Sequence, residues 1–151
     1  MNTRDVKMNE LGLMGEKIVM NYLSSLGRIV EQSIDKYDYE KDLLCDGKKV
    51  EVKTQVPFIL QKALTIKPNQ IRKCRSVDEL YFITVPAPQH DYKHSGWIFK
   101  VNPKEFKTRS YYTKDGREMI LIDIEQEAVV PIHKIKEEHI KQLMKYTVSR
   151  Y

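Results

Sequence analysis

An α/β fold with a central mixed β-sheet flanked by helices is what this sequence predicts, and three observations predict it. Apolar residues recur at helical spacing near both ends of the chain. Two runs rich in aromatic and β-branched residues, Glu79 to Val85 and Trp97 to Val101, have the composition of buried strands. Asp46-Gly47 and Asp115-Gly116 each stand between strand-like segments and mark two hairpins. With no internal repeat and no low-complexity linker, the 151 residues read as a single domain, with chain enough to close a hydrophobic core.

The first helix is predicted from Asn9 to Leu26, where Leu11, Met14, Ile18, Val19, Tyr22, Leu23 and Leu26 fall three and four residues apart. Asn9 suits its cap, and Gly27 supplies the left-handed residue that ends many helices. Arg28 to Ile34 reads as a strand, and the charged tract Asp35 to Lys41 leads to the first hairpin, with arms Lys41 to Cys45 and Lys48 to Thr54. Gln55 to Pro68 is a mixed segment, after which Pro68 opens a short basic helix, Asn69 to Arg75. Glu79 to Val85 is expected at the centre of the sheet, and Pro86 to His94 reads as an exposed loop placed to meet a ligand. Asn102-Pro103 begins a helical turn through Phe106, and Tyr111 to Asp123 forms the second hairpin. From Pro131 the chain is expected to turn helical, with Ile132, Ile135, Ile140, Leu143 and Met144 toward the sheet and Lys134, Lys141 and Lys145 away from it.

Composition narrows the function classes. A chain that is 41% apolar and 31% charged, with 6 Gly and 6 Pro, is globular in class and neither collagenous nor extensively disordered. No apolar run approaches the roughly 20 residues of a membrane helix. Met1 to Glu10 is polar, unlike a signal peptide, so a cytoplasmic location and no membrane partner are expected. Twenty-six basic against 21 acidic residues give a net charge of +5, which favours a polyanionic partner but also fits an ordinary solvated surface. Cys45 and Cys74 show no CxxC spacing and read as reduced packing residues. His90, His94, His133 and His139 lack compact metal-binding spacing and receive no catalytic role.

The first hairpin concentrates the chemistry. A two-residue turn at Asp46-Gly47 pairs Cys45 with Lys48, and stepping outward in register sets Asp42 opposite Glu51 on one sheet face. Opposed residues have Cβ atoms about 4.5–5.5 Å apart, so two carboxylates there repel unless a cation lies between them. Lys53 projects from the same face as Glu51, while Val50 and Val52 take the other. Carboxylate oxygens hold Mg²⁺ while leaving it several waters, and the metal activates one water and shields a phosphate. A lysine beside them orients the attacking water and stabilises the extra negative charge of a pentavalent transition state. The reaction this combination suits is phosphodiester hydrolysis.

Asp42, then eight residues, then Glu51-Val52-Lys53 resembles the PD-(D/E)XK nuclease core, with Lys41 standing where the family has its naming proline. Gly15-Glu16 within an amphipathic helix is similar to the Holliday-junction-resolvase branch, and the likeness extends to restriction-endonuclease-like members over roughly residues 9 to 85. The resemblance implies a restriction-endonuclease-like core and a metal shell of Asp42, Glu51 and Glu16. It further implies Lys53 as the catalytic lysine and Gln55 as a supporting residue, with Gln70 and Lys73 matching a helix near the scissile phosphate. The implied cofactor is Mg²⁺, with Mn²⁺ as a substitute, and the implied activity is a DNA endonuclease, with branched or junction DNA first among substrates. Symmetric cutting of both strands requires two sites, as a homodimer would supply, and the sequence leaves monomer and homodimer both open. The chemistry does not exclude RNA. The alternative from another class is a noncatalytic DNA-binding module on a nuclease-like scaffold, which has no need of Asp42, Glu51 and Lys53 on one face. Glu16 alone reads as a surface residue, and only the motif gives it a role.

Overall fold

Helix α1 runs Thr3–Ser25 in the computed structural model, which describes residues 3–32, 43–87 and 92–147. It begins earlier than the expected Asn9, because Thr3 to Met8 contains no Gly or Pro and several good helix formers. Its other end is where the sequence marked it. Gly27 adopts φ +83°, and the Arg28 and Gly27 amides donate to the Leu23 and Ser24 carbonyls at 3.2 and 2.9 Å, the paired bonds of a Schellman cap.

The strands in chain order are β1 Val30–Gln32, β2 Leu43–Cys45, β3 Lys48–Gln55, β4 Ala63–Ile66, β5 Glu79–Thr84, β6 Trp97–Val101, β7 Arg109–Tyr112, β8 Glu118–Asp123 and β9 Val129–Lys134. The remaining α-helices are α2, Ile71–Ser76, and α3, Glu137–Lys145. Six strands form one sheet in the order β1-β2-β3-β5-β6-β9, parallel between β3 and β5 and antiparallel elsewhere, so the sheet is mixed. A smaller antiparallel sheet, β4-β8-β7, accompanies it. Among the described residues no helix is long and apolar enough to cross a membrane.

Two apolar clusters lie on opposite faces of the large sheet. On one, Leu11, Val19 and Leu23 of α1 and Ile140 and Leu143 of α3 meet Val50, Tyr81, Ile83 and Ile98. On the other, Leu80, Phe82, Phe99 and Val101 pack with Leu64, Ile66, Ile120 and Ile122 of the small sheet and Cys74 of α2. Every residue of β5 is buried, as its unbroken apolar run requires of a strand covered on both faces. Helices thus cover one face, whereas the small sheet and the short α2 cover the other.

Three further expectations change. Pro131 lies inside strand β9, and Ile132 with it, so the helix starts only at Glu137. Proline is admissible there because β9 is an edge strand and its pairing with β6 shifts between Ile98 and Phe99, where Pro131 enters the register. The mixed segment after Gln55 contains β4, which is wholly buried. In the loop after β5, Ala87 is buried rather than exposed. The second hairpin forms as expected, with Gly116 at φ +84° and the Thr113 amide donating to the Arg117 carbonyl. Both cysteines are free and buried.

Candidate functional site

The first hairpin sets the site. Asp46 and Gly47 both take positive φ, 51° and 78°, the conformation of a type I′ turn, and they fix the pairs Cys45↔Lys48 and Leu43↔Val50. Asp42, the residue before Leu43, lies outside the described residues. Beyond the hairpin β3 continues beside β5, with Glu51 opposite Leu80 and Lys53 opposite Phe82. Val50 is buried under the α1 face, and strand alternation sends Glu51, Lys53 and Gln55 to the face shared with α2.

There the two charged residues of β3 meet the crossover that follows. Lys53 Nζ lies 3.4 Å from Glu51 Oε1, and Lys73 Nζ of α2 lies 3.3 Å from Glu51 Oε2. Lys53 also donates a hydrogen bond of 2.9 Å to Gln70 Oε1, at the start of α2. Only 15% of the Glu51 side chain is exposed, against 24% for each lysine, so these charges interact with less solvent screening than a surface pair. The resemblance implied Gln70 and Lys73 near the motif, whereas sequence spacing alone did not: Gln70 is 17 residues from Lys53 and reaches it because the chain through β4 and the short turn at Pro68–Gln70 folds back. Beneath them, burial pushes the Cys74 thiol up to about 11, which keeps it neutral and without nucleophilic thiolate.

Gln55 is engaged elsewhere on this face. Its carboxamide accepts from the Thr65 amide and donates to the Thr65 carbonyl, both at 2.8 Å, so it behaves like a strand edge and ties β3 to β4. On the opposite face Gly15 of α1 packs on Thr54. A Cβ at Gly15 would come within 1.7 Å of Thr54 Oγ1, so only glycine permits this approach. The contact seats α1 on β3 directly beside Lys53 in sequence. Glu16, the next residue of α1, is half-buried. The site residues named from sequence therefore divide: Glu51 and Lys53 come together with Gln70 and Lys73, Gln55 joins the two sheets, and Glu16 belongs to the helix on the other face.

No protein-family model, curated protein or solved structure matches the chain. The functional reading rests on the geometry of the site. Both oxygens of Glu51 face cationic nitrogens, so the carboxylate is oriented toward positive charge, and its oxygen donors suit a hard divalent ion as one ligand of a larger shell. Among the described residues no group of three or more His, Cys, Asp or Glu gathers to form a whole shell.

A second charged cluster was not anticipated. Arg28, just past α1, donates from Nη1 and Nη2 to the two oxygens of Glu79 at 2.7 and 2.5 Å, and Tyr81 donates to the same carboxylate at 2.6 Å. Asp46 accepts from Arg28 Nε at 3.0 Å. The network joins the end of α1 to the start of β5 and to the hairpin turn, a structural role. Its sequence signal was an acid opening an otherwise apolar buried run, since a buried carboxylate needs a partner.

Proposed function

We propose that this chain is a Mg²⁺-dependent nuclease with a restriction-endonuclease-like core of the PD-(D/E)XK type. It hydrolyses DNA phosphodiester bonds, with branched or junction DNA first among its substrates. The observation that carries the reading is the pairing of Glu51 with Lys53 on one face of β3, 3.4 Å apart and braced by Gln70. Glu51 would bind the metal, with Asp42 as a further carboxylate of its shell, whereas Glu16, on the helix of the opposite face, is set apart from them. Mg²⁺, when bound, supplies an activated water and shields the phosphate charge. Lys53, held between a carboxylate and an amide oxygen, has three donors, one of which would orient the attacking water and stabilise the charge that builds on the phosphoryl oxygens. The excess of basic residues, +5 over the chain, favours the approach of a polyanion.

The test is incubation of the purified protein with labelled linear, flapped and four-way-junction DNA in Mg²⁺, Mn²⁺ or EDTA, with single-stranded RNA as a further arm. Metal-dependent cleavage, greatest on a branched substrate, is the expected result. Binding without cleavage in every metal condition would reject the enzyme and select the DNA-binding module.

A further inference from the structure

Strand β7, Arg109–Tyr112, is an outer strand of the small sheet. In its hairpin the Thr113 amide donates to the Arg117 carbonyl, so the odd-numbered residues of β7 turn their backbone groups toward β8. Alternation then sends the N–H and C=O groups of Thr108, Ser110 and Tyr112 outward, where no other element among the described residues bonds to them. The side chains leave this edge open as well. Arg109 leans back to Asp123 and Gln61, Ser110 and Tyr112 both donate to Glu118 Oε2 of β8 at 3.2 and 3.1 Å, and the Tyr111 ring meets that of Phe58 at 5.1 Å. The other sheet edges are protected: β1 has only 3 residues, β9 carries Pro131 and a register shift, and β4 is wholly buried.

We infer that a second copy of this chain pairs with β7, antiparallel, about a two-fold axis at Ser110. An exposed strand edge without proline, bulge or lysine is a template for another strand, and the outward groups here match themselves. Ser110 exchanges both backbone hydrogen bonds with Ser110 of the second copy, and Thr108 does so with Tyr112 in both directions. The same register sets Arg109 opposite Tyr111 of the second copy on one sheet face, a cation beside an aromatic ring. Arg109 is the one charged residue of β7 and Asp123 offsets it, so the pairing brings no uncompensated like charges together despite the net +5 of the chain. An unrelated extended peptide finds the backbone bonds without this two-fold match. Strands of 4 residues bury less than the roughly 1,200 Å² of a standard interface, so the dimer is weak and concentration-dependent. The pairing links two copies of the Glu51–Lys53 face but does not rest on the nuclease reading.

The experiment is sedimentation equilibrium of the full chain over about a hundredfold range of concentration, where wild type should show a monomer–dimer equilibrium. Ser110→Pro removes the outward N–H at the axis, and Ser110→Lys sets two ammonium groups opposite each other. Each should raise the dissociation constant about tenfold or more, and the lysine variant keeps the test decisive should proline disturb the hairpin. Oxidative cross-linking reads the register. Ser110→Cys brings its two Cα atoms to about 5.5 Å, within disulfide reach, whereas those of Thr108→Cys stand roughly 13 Å apart along the strands. Ser110→Cys should therefore form a covalent dimer under mild oxidation and Thr108→Cys should not, with the native Cys45 and Cys74 buried in both. A wild type that stays monomeric throughout, a dimer that neither Ser110→Pro nor Ser110→Lys weakens, equal cross-linking of the two cysteine variants, or larger open assemblies would each overturn the pairing.

Discussion

Gln70 accepts a 2.9 Å hydrogen bond from Lys53, a residue whose ammonium also rests 3.4 Å from Glu51. A free lysine loses substantial side-chain entropy when fixed in one geometry, and two acceptors converging on one nitrogen supply that fixation before any substrate arrives. The bond comes from a different element than the one bearing Lys53, so the position of α2 helps set the aim of the β3 lysine.

Gln70→Ala should therefore lower the rate of cleavage while leaving the binding of DNA nearly unchanged. A hydrogen bond to a charged group contributes about 1.5–3 kcal/mol, and at this part-exposed site the lower end gives a loss of roughly tenfold. Single-turnover rates and a binding isotherm on the same DNA separate the two effects. A weakened isotherm with an unchanged rate would place Gln70 in substrate contact instead.

Gln55 should behave differently, because both ends of its carboxamide are taken by the Thr65 backbone. Gln55→Ala leaves a part-buried amide and carbonyl without these partners and should destabilise the fold by about 2–3 kcal/mol. Urea denaturation measures the loss. At temperatures where the variant remains folded, its cleavage rate should fall by less than that of Gln70→Ala.

Gly15→Ala pushes a methyl group into Thr54, since the added carbon would lie 1.7 Å from Oγ1 and 2.8 Å from Cβ. Separation of α1 from β3 is the only relief, at a cost of about 1–3 kcal/mol. Thr54→Ala in the same chain removes the nearer clash, so the double variant should recover part of the stability that the single one loses. A double-mutant cycle read by thermal melting reports that coupling, and strictly additive effects would contradict the packing described.

Glu79 should contribute to the loss of stability in acid. The Arg28 guanidinium holds its carboxyl down to about 2 from the ordinary 4.5, outweighing the opposing effect of burial. A carboxyl lowered in the folded state adds stability that is present above pH 4.5 and is lost as pH falls toward about 2. Glu79→Gln should flatten that acid limb in a plot of unfolding free energy against pH. Near pH 7 it should cost on the order of 2–3 kcal/mol, because Arg28 loses its principal carboxylate partner.

Much of this fold was legible because local rules dictated it. Asp46-Gly47 admits few turns, and once the turn is fixed the alternation of Val50, Glu51, Val52 and Lys53 follows from the pleat. The end of α1 at Gly27 and the burial of β5 were readable for the same reason. Strand β4 escaped notice because four consecutive buried residues show no alternation, and β9 because its proline suggests a boundary until its edge position is known. At the site, sequence spacing brought Glu51 and Lys53 together, yet the two ammonium groups on Glu51 depend on how the chain from β4 to α2 folds back. The Arg28–Glu79 pair spans 51 residues and belongs entirely to tertiary structure.

The most direct measurement is the single-turnover cleavage of a labelled four-way junction in Mg²⁺ by wild type and by Lys53→Ala, with the affinity of each for that DNA determined in Ca²⁺. The proposed mechanism predicts metal-dependent cleavage by wild type, a rate at least about 100-fold lower in the variant, as for the loss of one transition-state donor, and affinities within a few-fold of each other. Cleavage by Lys53→Ala at the wild-type rate, or none by wild type in any metal, would contradict it.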